Sequence, residues 1–308
     1  MEGFKKAIKV LLTADHGTNR RAEDRQRSLA GGKPYHAPMI SFLIIIGWMV
    51  AALLAGAGFL HLVPKLGGAG RRFTAWLAIA PGLDLVVTYF TAAPLIVGPI
   101  VAGWVGLAAA ICSQVLAVMI WTFLHGLAHP AARKGPRIIK VLNRLVGTWR
   151  NFAAVWVTAA VVPIFWLIRV AELLVWPFLV HLIRFPRYNH GEWVRVSRHK
   201  FDNLVGHDLI WCLYCDWMTG VWSLGSEMLR NVESFWCPIR FDLDKKCDNC
   251  KHDFPDVFNG WVDSDADMAD VTKVLEEQYG EAAVNSWYGH SARLTVEGKT
   301  VKDPSNEA

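Results

Sequence analysis

The sequence predicts a mainly α-helical fold: a polytopic membrane bundle of about four spans, followed by a small cysteine-rich, metal-stapled C-terminal soluble domain. Three observations point there. Of the 308 residues, 53% are hydrophobic and only 19% charged, against about 25% charged in an average soluble protein, and the mean hydropathy is +0.25. The apolar residues gather into long runs between residues 39 and 184. Charge divides the chain where those runs end: residues 1–200 hold 23 Lys or Arg against 7 Asp or Glu, and residues 201–308 hold 9 against 20. A basic surface beside a bilayer meets anionic headgroups, so no nucleic-acid partner is needed to account for it.

Residues 1–38 form a basic amphipathic N-terminal segment. In "GFKKAIKVLLT" (3–13), Phe4, Ile8, Leu11 and Leu12 share a helical face that excludes Lys5, Lys6 and Lys9. That pattern suits a helix lying on a membrane, or one packed on the soluble domain. Residues 14–38 read as a polar linker.

The bundle occupies residues 39–184. The run over 39–62 supplies the roughly 20 apolar residues a span needs, with Ala52, Gly56 and Gly58 as a smooth strip for a neighbouring helix. Residues 73–128 are too long for one span. Pro94, Gly98 and Pro99 divide them into helices at about 73–93 and 98–125, a re-entrant segment being the alternative. An amphipathic connector with six Lys or Arg follows at 129–150. The last run, 152–183, is interrupted by Pro163, Arg169, Glu172 and Pro177. This gives four spans, with three or five as alternatives. Eight basic residues in the N-terminal segment and five at 184–200 then share a side, against three at 63–72 and six at 129–150. Both termini are thus expected in the cytoplasm.

Residues 185–262 are expected to form the cysteine-rich domain, and 263–308 an acidic helix (265–284), a hairpin (292–302) and a tail. "WCLYCDW" and "KKCDNCKH" each hold Cys-x-x-Cys, at Cys212/Cys215 and Cys247/Cys250. Two such turns can complete a tetrahedral thiolate shell. The 31 intervening residues exceed the 15–20 of a zinc ribbon. The spacing is similar to rubredoxin-type iron sites, but Asp216 and Lys251 stand where those knuckles carry glycine. The readings are a closed zinc site, an iron–sulfur cluster drawing on Cys237, or disulfides if the domain is outside the cytoplasm. His207 and His252 are possible extra ligands. "CDNCKH" is a haem-attachment motif with one residue inserted, a poor fit to covalent haem. "DSDADMAD" (263–270) lacks the glycine and glutamate of a calcium loop.

Within the spans, Asp84 and Arg169 are costly charges that normally find partners, so they are expected to pair, holding the bundle or binding a solute or proton. His61, His125 and His129 would lie at one membrane face and could ligate haem b or a metal, or line a quinone site. No phosphate loop or hydrolase pattern is present. The function expected is therefore an accessory or scaffold subunit that docks a protein partner in the membrane. A membrane electron-transfer protein, an oxidoreductase component with an iron–sulfur or haem centre, is the alternative. A small-solute or proton carrier using Asp84 is the third.

Overall fold

Apolar runs become helices here, and the helices break where glycine, proline or a buried charge supplies a reason. The computed structural model describes residues 37–183, 185–240 and 261–279, with a two-stranded antiparallel hairpin of β1 (Thr295–Val296) and β2 (Lys299–Thr300). The expected surface helix at 3–13, its linker, Cys247, Cys250 and His252 lie outside the described residues.

Three helical segments are long and apolar enough to cross a membrane: Met39–Lys65, Gly82–Ala128 and Thr148–Ile183. Four were expected, and the middle segment explains the difference. Helix α1 (Ala37–Leu62) leads into a short helix α2 (Gly67–Leu77), and the chain then leaves helical geometry over 78–81. There the Ala80 N–H donates to the Val194 carbonyl and the Val196 N–H to that of Ala78. An expected helix over 73–93 is thus cut just before Pro81 and Gly82. Helix α3 (Gly82–Ala128) follows as one stretch, sharply folded at Ala102 (φ −145°, ψ 26°) and Gly103 (φ 54°, ψ −137°). Positive φ is cheap only for glycine. The fold-back therefore falls at Gly103 rather than at Pro94–Pro99. Pro94 instead follows a π-helical turn at Thr88–Ala92, a wider turn of the kind that accommodates a missing backbone donor. At the tip, Gly98 and Gly106 meet so closely that a side chain on either would strike the other's carbonyl oxygen. Each arm, at about 1.5 Å per residue, is roughly 30 Å long or more.

Two short helices, α4 (Pro130–Lys134) and α5 (Ile138–Val146), form the basic connector. The last apolar segment, α6 (Thr148–Ile183), is bent at Ala160–Val161 ahead of Pro163 and contains a π-helical turn at Ala171–Val175. A one-turn helix α7 (His190–Trp193) precedes α8 (His207–Trp236), a continuous 30-residue helix. Helix α9 (Met268–Tyr279) begins as the acidic pattern foretells. The Asp267 carboxylate accepts the Ala269 N–H at 2.7 Å, satisfying one of the helix's open donors.

The chain divides into two compact units. In the first, residues 37–54 and 92–117, Ala109, Ala110 and Ser113 are fully buried around the hairpin tip. The second, residues 55–91 and 118 onward, holds the main core, where Leu83, Trp176, Phe185, Val194, Trp217 and Leu224 pack together. Within the expected 185–262 domain, α8 lies along α6, while residues 241–260 lie outside the described residues. Trp211 packs edge-on to Trp156 with centroids 5.6 Å apart, and Tyr214 donates to the Thr158 carbonyl at 3.2 Å. Phe165 meets Trp217, and Gly225 faces Ile168. Gly220 and Gly225 weaken α8 as an isolated helix. Each permits close approach, because a Cβ on Gly220 would collide with the Trp193 carbonyl and one on Gly225 would lie 2.8 Å from the Ile168 side chain.

Candidate functional site

The most completely built polar site is centred on Arg169, whose side chain is fully buried. Its guanidinium donates through Nε and Nη2 to the two oxygens of Asp84, at 2.9 and 2.7 Å, in a fork-to-fork pair. Nη1 donates to Glu172 Oε2 at 2.6 Å and meets His190 Nδ1 at 2.8 Å. Asp84 sits in the first turn of α3, Arg169 and Glu172 on α6, and His190 opens α7, so one cation ties together three elements. Arg169 and Glu172 are three residues apart, which on a helix places both on the face turned to Asp84. Because an arginine can only donate, His190 Nδ1 must accept, and the ring is neutral with its proton on Nε2. Burial first, and then the charge of Arg169, push His190 down to about 4. The sequence marked Asp84 and Arg169; His190, in a loop after the last span, carried no signal.

A second charged clamp joins the connector to the start of α8. Arg137 Nε donates to Asp208 Oδ2 at 2.5 Å and Nη2 to the Val205 carbonyl at 2.8 Å, while the Ile139 N–H reaches Asp208 Oδ1 at 3.1 Å. Burial alone would raise the Asp208 carboxyl. The hydrogen bonds from His207 and Arg137 and the charge of Arg137 outweigh it and hold the group below the usual carboxylate range. Deeper in α8, Glu227, Arg230, Asn231 and Ser234 form a buried polar stripe. Arg230 pairs with Glu227, Asn231 with Tyr188, and Trp261 donates to Ser234 at 3.0 Å. Burial, then the neighbouring Glu227 charge, push Tyr188 well above the ordinary tyrosine value. Spacings of three, four and seven residues along one helix were the available signal for that stripe, masked by its acidic surroundings.

His61, His125 and His129 do come together. His125 stacks between the other two, with ring centroids 5.2 Å from His61 and 4.4 Å from His129. One nitrogen of each ring is engaged elsewhere: Trp121 Nε1 donates to His61 Nε2, the Gly206 N–H donates to His125 Nδ1, and His129 Nδ1 bonds the His125 carbonyl. Among the described residues, no group of three or more metal-binding side chains converges on one point.

Among the described residues, the Cys212/Cys215 pair sits on a helix rather than in a turn. Cys212 and Cys215 lie one turn apart within α8 and are half-buried, while Cys237 ends that helix and is exposed. Twenty-one residues of helix separate Cys215 from Cys237, about 33 Å at a rise of 1.5 Å per step. An ion held by Cys212 and Cys215 is therefore out of reach of Cys237. Asp216, standing where a knuckle would have glycine, accepts the Ser197 and Arg198 N–H groups at 2.9 Å each and pairs with the Arg198 side chain. Burial pushes the Cys212 thiol up; Arg198 opposes this, while Cys215, Asp208 and Asp216 add to it. A metal there would have to displace that proton. His207 accepts from Trp211 Nε1 at 3.0 Å and lies against Asp208.

No family model, characterised protein or solved structure matches this chain. Its function must be argued from these groups alone.

Proposed function

We propose that this chain is an integral membrane accessory or scaffold subunit that docks or assembles a larger membrane complex through a protein partner in the bilayer. The observation that carries the reading is the Arg169 cluster. The costliest groups in the apolar segments are spent on one another, tying α3, α6 and α7 together. A carrier needs a carboxylate that can let go of its partner, whereas Asp84 is held through both oxygens. In this reading each arm of α3 crosses the bilayer, and the N-terminus lies in the cytoplasm. Cys212 and Cys215, with Cys247 and Cys250, then supply the thiols of a structural zinc site. The test is purification from native membranes in mild detergent, with metal analysis and an optical spectrum. A colourless protein with about one zinc per chain, migrating with a stoichiometric partner, supports the proposal. A lone, metal-free chain sinks it.

A second reading, membrane electron transfer, has one observation behind it: the stacking of His61, His125 and His129 at one end of the apolar segments. It requires a Soret band or iron–sulfur absorption in the same spectrum. Transport through Asp84 ranks third and requires that Asp84→Asn abolish solute or proton flux without loss of folded protein.

A further inference from the structure

We propose that the pocket between the end of α3 and the connector helices binds the phosphate of an anionic phospholipid headgroup. This deepens the reading that the apolar segments lie in a bilayer and rests on it. The cavity, of about 550 Å³, is lined by Gly126, Leu127 and Pro130 and by Arg133, Lys134, Arg137 and Lys140. Of these four cations, Arg137 is already spent on Asp208 and the Val205 carbonyl. Among the described residues, Arg133, Lys134 and Lys140 form no ion pair with a carboxylate.

Their placement is specific. Arg133 lies across Gly126, where a Cβ would be 3.5 Å from its Cδ, and its guanidinium sits 5.8 Å from the centroid of the Phe123 ring. The Lys140 ammonium lies 3.4–3.5 Å from the carbonyls of Arg133, Lys134 and Gly135, at the negative end of α4. Three positive charges line one hollow with no carboxylate paired to them among the described residues, an arrangement suited to an anion. Apolar surroundings identify its source. Phe123 and Leu127 are exposed on the apolar segment that leads into the pocket, as are Ile138, Val141 and Leu145 on amphipathic α5. Acyl chains can lie along that surface while the phosphate meets the cations, the arrangement by which basic pockets beside membrane helices take lipid headgroups. A free phosphate would use the cations and ignore the apolar border.

Full-length protein in neutral detergent is titrated with dihexanoyl phosphatidylglycerol, dihexanoyl phosphatidylcholine or sodium phosphate, and the thermal midpoint is followed by tryptophan fluorescence. A ligand that binds only the folded state raises that midpoint in proportion to its saturation. Phosphatidylglycerol should raise it saturably, and the other two should leave it unchanged at equal concentration. Lys134→Gln/Lys140→Gln should weaken phosphatidylglycerol binding about thirtyfold. Lys134→Arg/Lys140→Arg should bind as the parent does. Arg144→Gln/Arg150→Gln removes equal charge from exposed positions outside the pocket and should cost less than about threefold. Equal shifts with phosphatidylcholine, or equal losses in the two glutamine variants, overturn the site. An equal shift with sodium phosphate overturns the lipid as its source. These results leave the membrane reading untouched. That reading fails separately, if alkaline carbonate extracts the protein from membranes.

Discussion

Removing the charge of Arg169 is the sharpest perturbation the fold offers. Arg169→Gln would leave Asp84 and Glu172 buried together without their common cation. Four of the five N–H groups of the guanidinium are accounted for by Asp84, Glu172 and His190, at distances of 2.6–2.9 Å. Breaking one partner out of a buried pair costs about 3–5 kcal/mol. At about 2–4 °C per kcal/mol for a chain of this class, the midpoint of thermal unfolding in detergent should fall by roughly 6–20 °C. Asp84→Asn should cost a similar amount, because the arginine then lacks its fork partner. The double variant Asp84→Asn/Arg169→Gln should be less harmful than the sum of the two, by at least about 1.5 kcal/mol, since each change removes the group the other would have stranded. The assay is tryptophan fluorescence against temperature on the three variants and the parent. A midpoint for Arg169→Gln within about 2 °C of the parent, or strict additivity in the double variant, would refute the reasoning.

Acidification should weaken the fold through His190. Its ring binds fewer protons folded, at about 4, than unfolded, near 6.5, so stability is fully present above pH 6.5 and falls as pH drops toward 4. His190→Asn should flatten that part of a stability–pH profile. Asp208→Asn should destabilise by about 2–4 kcal/mol and speed proteolysis within residues 197–206, as read by mass spectrometry of fragments. Gly220→Ala should lower the unfolding midpoint despite alanine's better helix propensity, by about 1–3 kcal/mol, because its methyl meets the Trp193 carbonyl. Gly58→Ala, facing open space, should be neutral in the same scan. In detergent, a maleimide should modify exposed Cys237 well before Cys212, whose half-buried, less acidic thiol forms little thiolate; equal rates would contradict the placement of α8.

Much of this was legible because hydrophobic periodicity and length are strong signals. The apolar runs mark all three long segments, and the acidic run from residue 265 announces α9, which begins at Met268. Proline was a poorer guide than glycine to where helices turn. Pro94 and Pro99 stay inside α3, since a helix can lose one donor bond and carry on. The reversal needs a positive φ, which falls to Gly103. Cys-x-x-Cys is ambiguous for a related reason. Three-residue spacing is equally that of adjacent helical turns, and Asp208 and Asp216, which fasten α8 to the connector and to residues 197–198, are not visible as anchors without the fold.

Charge balance says less about α8 itself. The acidic excess after residue 200 suggested solvated groups there, yet in α8 Asp208, Glu227 and Arg230 are buried. Net charge describes how a segment is solvated only when its charged groups reach solvent. In α8 they do so unevenly: one face carries Trp217, Val221 and Leu224 against the main core, and Glu227 with Arg230 continues that face as a neutral pair. What would have distinguished this helix from a solvated one is its glycines. Gly220 and Gly225 cost an isolated helix roughly 1 kcal/mol each relative to alanine. A solvent-facing helix has no use for that cost, whereas one pressed against Trp193 and Ile168 requires it.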